Sequence, residues 1–219
     1  MKVADYKHGL VVPTLTNFTG LAELFASVDR PVLPFVIPNW REKNSVAASW
    51  NKGIAAAEAA GCDVIHIIND DVILSPGCLE AMGRKILLDG HAVLVSGFET
   101  PAEDHLERKL GHGSTFSCFA IGRGFLELTG GGFDEGFSPA YFEDDDMRYR
   151  LKLIAQKKGY PNTFRVPGAT FRHRTSSTQN HDPEKPVVSP ERFRENNAYF
   201  TLKWGGPPGQ ERHQTPFGE

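Results

Sequence analysis

Short apolar runs alternate with segments of helical periodicity along this chain, and that alternation restricts it to an α/β architecture. Leu10–Thr14 reads as a buried strand, followed by a helix around Leu21–Val28 with Leu21, Leu24 and Phe25 on one face. Val32–Ile37 is a second strand, apolar on both faces as central parallel strands are. Asn44 is placed to cap a helix through Val46, Trp50, Ile54 and Ala57 that stops at Gly61. Val64–Ile68 is a third strand, ending at Asn69-Asp70-Asp71, and Ser75-Pro76 supplies cap and first turn for a helix through Leu79, Met82 and Ile86.

The alternation continues. His91–Ser96 and Phe116–Ile121 read as strands, separated by a polar stretch at 97–115 that reads as a surface loop or lid. A short helix ends at Gly130-Gly131-Gly132, and Asp144–Lys158 forms another, closed by Gly159 with Pro161 beyond it. Phe164–Arg174 is the last strand, and a connection at 179–189 leads to a helix opened by Ser189-Pro190 and ended by Gly205-Gly206. The expected fold is a mostly parallel central sheet with helices on both faces. In such sheets ligands bind beyond the C-terminal strand ends, which sets Thr14, Pro38-Asn39 and Asn69-Asp70-Asp71 around one crevice.

The 219 residues fit one domain with a sizeable core, and no apolar run approaches the length of a membrane span. The three cysteines are odd in number with no C-x-x-C pair, which favours a reduced, cytoplasmic setting over a disulfide scaffold. Net charge is −3 but asymmetric. Residues 1–146 carry 11 Lys+Arg against 21 Asp+Glu, and residues 147–219 carry 13 against 6. A solvated surface accounts for such blocks; so does a C-terminal third that offers cations to an anionic ligand.

Two acidic clusters carry the chemistry. Asp70 and Asp71 sit where a buried strand exits, a position that fixes carboxylates and exposes them. Mg²⁺ or Mn²⁺ on a diphosphate is held by one or two such groups plus phosphate oxygens. A turn before a helix would also favour Asp for backbone reasons. Glu143-Asp144-Asp145-Asp146 opens a helix, where the dipole rewards acids, yet four in a row exceed what capping needs. Asp144, Met147, Leu151 and Ile154 lie near one helical face, so Asp144 can point into the crevice and act as a general base, with Glu143 orienting an acceptor. His173 is a candidate metal ligand, and Arg172 beside it can meet phosphate charge.

Val11–Thr14, Trp50–Ile54, Asn69-Asp70-Asp71, Gly131–Glu135 and Tyr141–Met147 together resemble the family-two glycosyltransferases of GT-A fold, over residues 9 to 178. The stretch from Asn196 to Phe217, with Lys203-Trp204, is similar to the tail of some bacterial and phage-type members. The resemblance implies a single catalytic domain over 1–219: a nucleotide-sugar half to about residue 97, an acceptor half over 98–178, and a C-terminal helix and tail. It implies a nucleotide-diphosphate sugar donor, a divalent cation and inversion at the anomeric carbon. By position, Asp71 and His173 become metal ligands, Asp144 the base and Glu143 its partner. Thr14, Asn51 and Asp70 become donor contacts, joined by Arg172, Lys203 and Trp204.

The sequence departs from that family after the second strand, where Asn39-Trp40 replaces the acidic turn that reads the base; the Asn39 amide can hydrogen-bond a base edge as donor and acceptor, and Trp40 can stack on it. Uridine is therefore a default only. The acceptor stays open among a glycan, a lipid-linked sugar and hydroxylated nucleic acid, and the basic C-terminal third is compatible with an anionic one. A sugar-nucleotidyltransferase and a non-catalytic sugar-nucleotide-binding module are the other readings. The first is disfavoured because Val12–Thr16 has no Gly-rich phosphate loop or basic residue.

Overall fold

The structure, a computed structural model, describes residues 6–14, 18–39, 44–89, 94–100, 116–159, 165–173 and 188–219. Strands β1 (His8–Thr14), β2 (Leu33–Pro38) and β3 (Val64–Ile68) pair in parallel. With β4 (Val72–Leu74), β5 (Leu94–Glu99), β6 (Cys118–Gly122) and β7 (Arg165–His173) they form one sheet of order β2-β1-β3-β6-β5-β7-β4. β6 runs antiparallel to β3 and β5, and β4 antiparallel to β7, while β5 and β7 are parallel. Five strands thus point one way and β4 and β6 the other, which is the mostly parallel sheet expected, with two reversals.

The helices are α1 (Phe18–Ala26), α2 (Val46–Ala59), α3 (Cys78–Leu88), α4 (Phe125–Thr129), α5 (Glu143–Lys158) and α6 (Pro190–Trp204). Side-chain alternation along β1 sorts two cores. Leu10 and Val12 pack with Leu24, Leu79 and Met82 on the side of α1 and α3. Val11 packs with Ile54, Met147 and Leu151 on the side of α2 and α5. Gly53 is required in this second core, because a Cβ there would stand 2.1 Å from Val11 Cγ1. A third cluster, Phe137, Phe142, Tyr149, Phe200 and Trp204, fastens α6 to α5.

Two helix starts differ from the sequence reading. Ser45, not Asn44, caps α2, accepting from the Ala48 amide at 3.1 Å. Asn44 is instead tied to the Asn39 side chain through both its amide and its carbonyl. Ser75-Pro76 does not open α3; Cys78 N donates to Ser75 O in a turn, and Gly77 at φ 79° makes the entry, a conformation glycine adopts without strain. Ser189 caps α6 as expected, accepting from Arg192 N at 3.2 Å. Of the expected strand His91–Ser96, residues 91–93 lie outside the described residues and Leu94–Ser96 fall in β5; the expected strand from Phe116 begins at Cys118, and residues 97–99 belong to β5 rather than to a loop. Trp40, the remainder of the expected lid at 101–115, and Thr175–Thr178 lie outside the described residues. No described helix is long and apolar enough to cross a membrane.

Candidate active site

The C-terminal ends of β1, β2 and β3 carry Thr14, Asn39 and Asp70, as the strand reading requires. In-register pairing sets Thr14 opposite Pro38, and Val11 opposite Ile67. Thr14 is buried, and its hydroxyl has no hydrogen-bond partner among the described residues. A buried hydroxyl at a strand end is the sort of group that a ligand oxygen or amide satisfies.

The turn Asn69–Asp71 reverses the chain into β4, with Val72 N donating to Asn69 O. β4 then pairs with β7 so that Val72 stands opposite His173. The consequence is direct: His173 Nε2 lies 3.0 Å from Asp71 Oδ1. Ser117 closes the other side, its carbonyl accepting from Asn69 N at 2.9 Å and its hydroxyl 3.5 Å from His173 Nδ1. Glu99 Oε1, at the end of β5, is 4.0 Å from the same nitrogen. Burial disfavours the charged imidazole, but the Asp71 hydrogen bond and charge, with Glu99 behind them, raise its pKa above the ordinary value. The two expected metal ligands therefore converge.

An aspartate and an imidazole suit a divalent cation that takes its remaining ligands from water and a diphosphate. No group of three or more His, Cys, Asp or Glu side chains able to hold a metal occurs among the described residues. The pair fits a cation completed by its substrate and does not form an all-protein cage.

Arg172 is exposed, and strand alternation sends it from β7 on the side opposite His173.

The acidic segment enters α5 through two consecutive non-glycine residues in left-handed backbone, Tyr141 (φ 77°) and Phe142 (φ 75°). Each costs on the order of 1–3 kcal/mol, so neighbouring contacts must impose them. They do: Asn196 Nδ2, buried on α6, donates to the carbonyls of Ala140 (2.9 Å) and Tyr141 (3.3 Å). The four acids then take different environments. Asp146 is fully buried and saturated by Lys203 Nζ (2.6 Å), Arg150 Nε (2.9 Å) and Trp204 Nε1 (2.8 Å). Asp145 pairs with Arg148; its pKa is still raised, by burial and by the charge of Asp144. Asp144 remains about one-third exposed, with Arg148 Nη2 at 3.4 Å. Glu143 is buried, and burial together with the Asp144 charge pushes its pKa up to about 8. At neutral pH it is a protonated carboxyl, able to donate a hydrogen bond.

The two clusters are linked through residues 116–117. The Arg148 guanidinium, which holds Asp144 and Asp145, lies over the Phe116 ring at 5.7 Å from its centroid, and the next residue is the Ser117 beside His173. Phe116 is locked by Trp50, Phe119 and Phe133 at centroid distances of 6.4, 5.1 and 5.9 Å. Met147 and Leu151 enter the same core, so the first turn of α5 is anchored on this face of the sheet.

Several expected donor contacts hold protein groups. The Asn39 amide closes the loop to Asn44. Asn51 Nδ2 donates to Phe133 O and its Oδ1 accepts from Phe133 N, both at 2.8 Å, which pins the Gly131–Glu135 segment to α2. Gly132 permits that approach: a Cβ would stand 2.2 Å from Asn51 Oδ1. Lys203 bridges Asp134 (2.7 Å) and Asp146, and Trp204 serves Asp146. Burial would raise the Asp134 carboxyl, but Lys203, the Gly136 amide and Tyr199 hold it below its ordinary range. The Lys203 charge is thus matched by the protein's own carboxylates. Glu99, Ser117 and Asn196 were not singled out in the sequence; only the strand pairing and the α6 contacts bring them in.

No protein-family model and no curated protein sequence matches the chain. Solved structures do. A Drosophila β-1,4-galactosyltransferase 7 mutant in complex with manganese, UDP-Gal and xylobiose aligns with TM-score 0.50 at 16% identity, covering 86% of this chain and 79% of that one. The catalytic domain of the same enzyme with xylobiose gives TM-score 0.52 at 15% identity, over 87% of this chain and 79% of that one. S. aureus TarS gives TM-score 0.55 at 14% identity, over 95% of this chain but only 41% of TarS. By its sheet order, its strand-end aspartates and these likenesses, the chain has the GT-A fold.

Proposed function

We propose that the protein is a metal-dependent, inverting glycosyltransferase that moves a sugar from a nucleotide-diphosphate donor to an acceptor hydroxyl. The observation that carries the reading is the 3.0 Å approach of His173 to Asp71 at the sheet's C-terminal edge, linked through Ser117 and Phe116 to Asp144. The fold neighbour that holds manganese, UDP-Gal and xylobiose together supports the same class of reactants.

Asp71 and His173 are the residues to hold Mn²⁺ or Mg²⁺, which when bound supplies positive charge to the departing diphosphate. Asp70 and Thr14 line the donor side. Asp144 accepts the proton of the acceptor hydroxyl as that oxygen attacks the sugar C1 and the bond from C1 to the diphosphate oxygen breaks. Glu143, neutral at pH 7, donates a hydrogen bond to an acceptor oxygen and leaves the basic role to Asp144. Asn39, Asn51, Lys203 and Trp204 shape the walls of the site from behind.

The test is thermal-shift and calorimetric screening of nucleotide sugars with and without Mn²⁺, followed by a transfer assay on the donor that binds. Metal-dependent binding of one donor class supports the reading. No binding by any nucleotide sugar in Mn²⁺ contradicts it.

A further inference from the structure

Beside the acidic segment the surface carries two exposed aromatic rings that neither the metal pair nor the base requires. Tyr141 is 38% exposed and Phe193, in the first turn of α6, is 46% exposed. Their rings meet edge-to-face at 5.6 Å and 68°, and Phe193 also packs on the buried Phe142 at 5.1 Å. This is not a loose tip. Tyr141 is held in left-handed backbone by Asn196, and the strain is maintained two residues before Glu143. Strained, over-determined backbone next to reactive groups is characteristic of ligand contacts. Exposed apolar surface that the fold keeps in place marks an interaction site.

We propose that Tyr141 and Phe193 form the acceptor platform, and that the acceptor is a neutral saccharide whose pyranose ring packs its C–H face on them. The inference rests on the glycosyltransferase reading and narrows its acceptor class. Three features select a neutral sugar. The rings stand at a steep angle, so they offer two faces to a puckered ring and no parallel slot for a flat base. The next acids along the chain, the neutral carboxyl of Glu143 and the part-exposed Asp144, offer a donor and an acceptor suited to vicinal hydroxyls. Among the described residues, three nearby cations already have carboxylate partners, Arg148 with Asp144 and Asp145, Arg192 with Glu195, and Lys203 with Asp134 and Asp146, while Arg194 beside Phe193 is exposed. A phosphodiester chain or a lipid phosphate would meet the acids of α5 with little uncompensated positive charge.

Saturation-transfer difference NMR on the full chain, with the methyl glycosides of glucose, galactose, mannose and xylose as probes, tests this. Wild type is expected to transfer saturation to ring C–H protons of at least one glycoside. Phe193→Ala and Tyr141→Ala are expected to weaken that binding by about tenfold or more, equivalent to about 1.4 kcal/mol. Tyr141→Phe should retain the C–H contacts, and Phe217→Ala, at an exposed aromatic elsewhere, should bind as wild type does. Phe193 lies on a helix surface, so its variant reads the platform even where Tyr141→Ala fails to fold. Glycoside binding unchanged in Phe193→Ala overturns the proposal, as does binding of single-stranded oligothymidylate in place of every glycoside. Glycoside binding without any metal-dependent nucleotide-sugar binding keeps the platform and removes the transferase reading. Donor binding with no glycoside contact does the reverse.

Discussion

His173 and Asp71 meet at 3.0 Å although one ends β7 and the other closes the turn after β3; β4, three residues long, is what joins them. Its antiparallel pairing sets Val72 opposite His173 and leaves Asp71 facing the imidazole. In the proposed function a cation shared by the two side chains would take the place of this contact, so each side chain should matter to donor binding only when metal is present. Asp71→Ala and His173→Ala are expected to weaken nucleotide-sugar affinity in Mn²⁺ by about tenfold or more, with little change in EDTA. Calorimetry showing equal affinity in Mn²⁺ for wild type and both variants contradicts the assignment.

Asp144 is the least enclosed of the four acids, held loosely by Arg148 at 3.4 Å. Asp144→Asn keeps the shape and removes the proton acceptor. Its kcat should fall by about 10²–10⁴ while the donor dissociation constant stays within a factor of about two. Retention of wild-type kcat assigns the base elsewhere.

Glu143 gives the pH dependence. Its carboxyl stays protonated in the folded chain up to about pH 8, against an ordinary value of 4.5. Between those values the unfolded chain has released a proton that the folded chain retains. Stability must therefore fall as pH rises through this window, by several kcal/mol once both states are ionised. Glu143→Gln removes the dependence. Denaturation at pH 5 and pH 9 should show the variant gaining on wild type at the higher pH; equal pH slopes for the two proteins refute a buried neutral carboxyl.

Asp146 and Lys203 form a buried ion pair at 2.6 Å that also carries Asp134, Arg150 and Trp204. Removing one partner strands a charge in the core. Lys203→Met should cost about 3–5 kcal/mol of unfolding free energy, and adding Asp146→Leu should recover part of it. Urea melts of the single and double variants measure this. A cost below about 1 kcal/mol would show the pair to be solvated.

Legibility in the sequence followed the range of the interactions. Ser189-Pro190, Gly159 and Gly205 mark helix ends because capping is local. Asp71, His173 and Asp144 stood out as carboxylates and an imidazole at element ends, although turn and helix-dipole preferences also place acids there. β4 did not, since three residues carry no periodicity, and its partner lies far along the chain. The sequence marks Asn51 as polar on an apolar helix, but only packing shows that both ends of its amide hold Phe133. The roles of Asn196, Lys203 and Trp204 depend on how α6 docks against 134–146, a long-range contact that no local pattern encodes. Glu143 and Asp144 are chemically similar neighbours in sequence, and only their burial separates the proposed proton donor from the proposed base.

The most direct test is anomalous diffraction at the manganese edge from crystals grown with Mn²⁺ and UDP. A single strong peak within bonding distance of both an Asp71 carboxylate oxygen and His173 Nε2, with the diphosphate on its open side towards Asp144, is the predicted result. Manganese bound away from that pair, with the nucleotide elsewhere on the sheet edge, contradicts it.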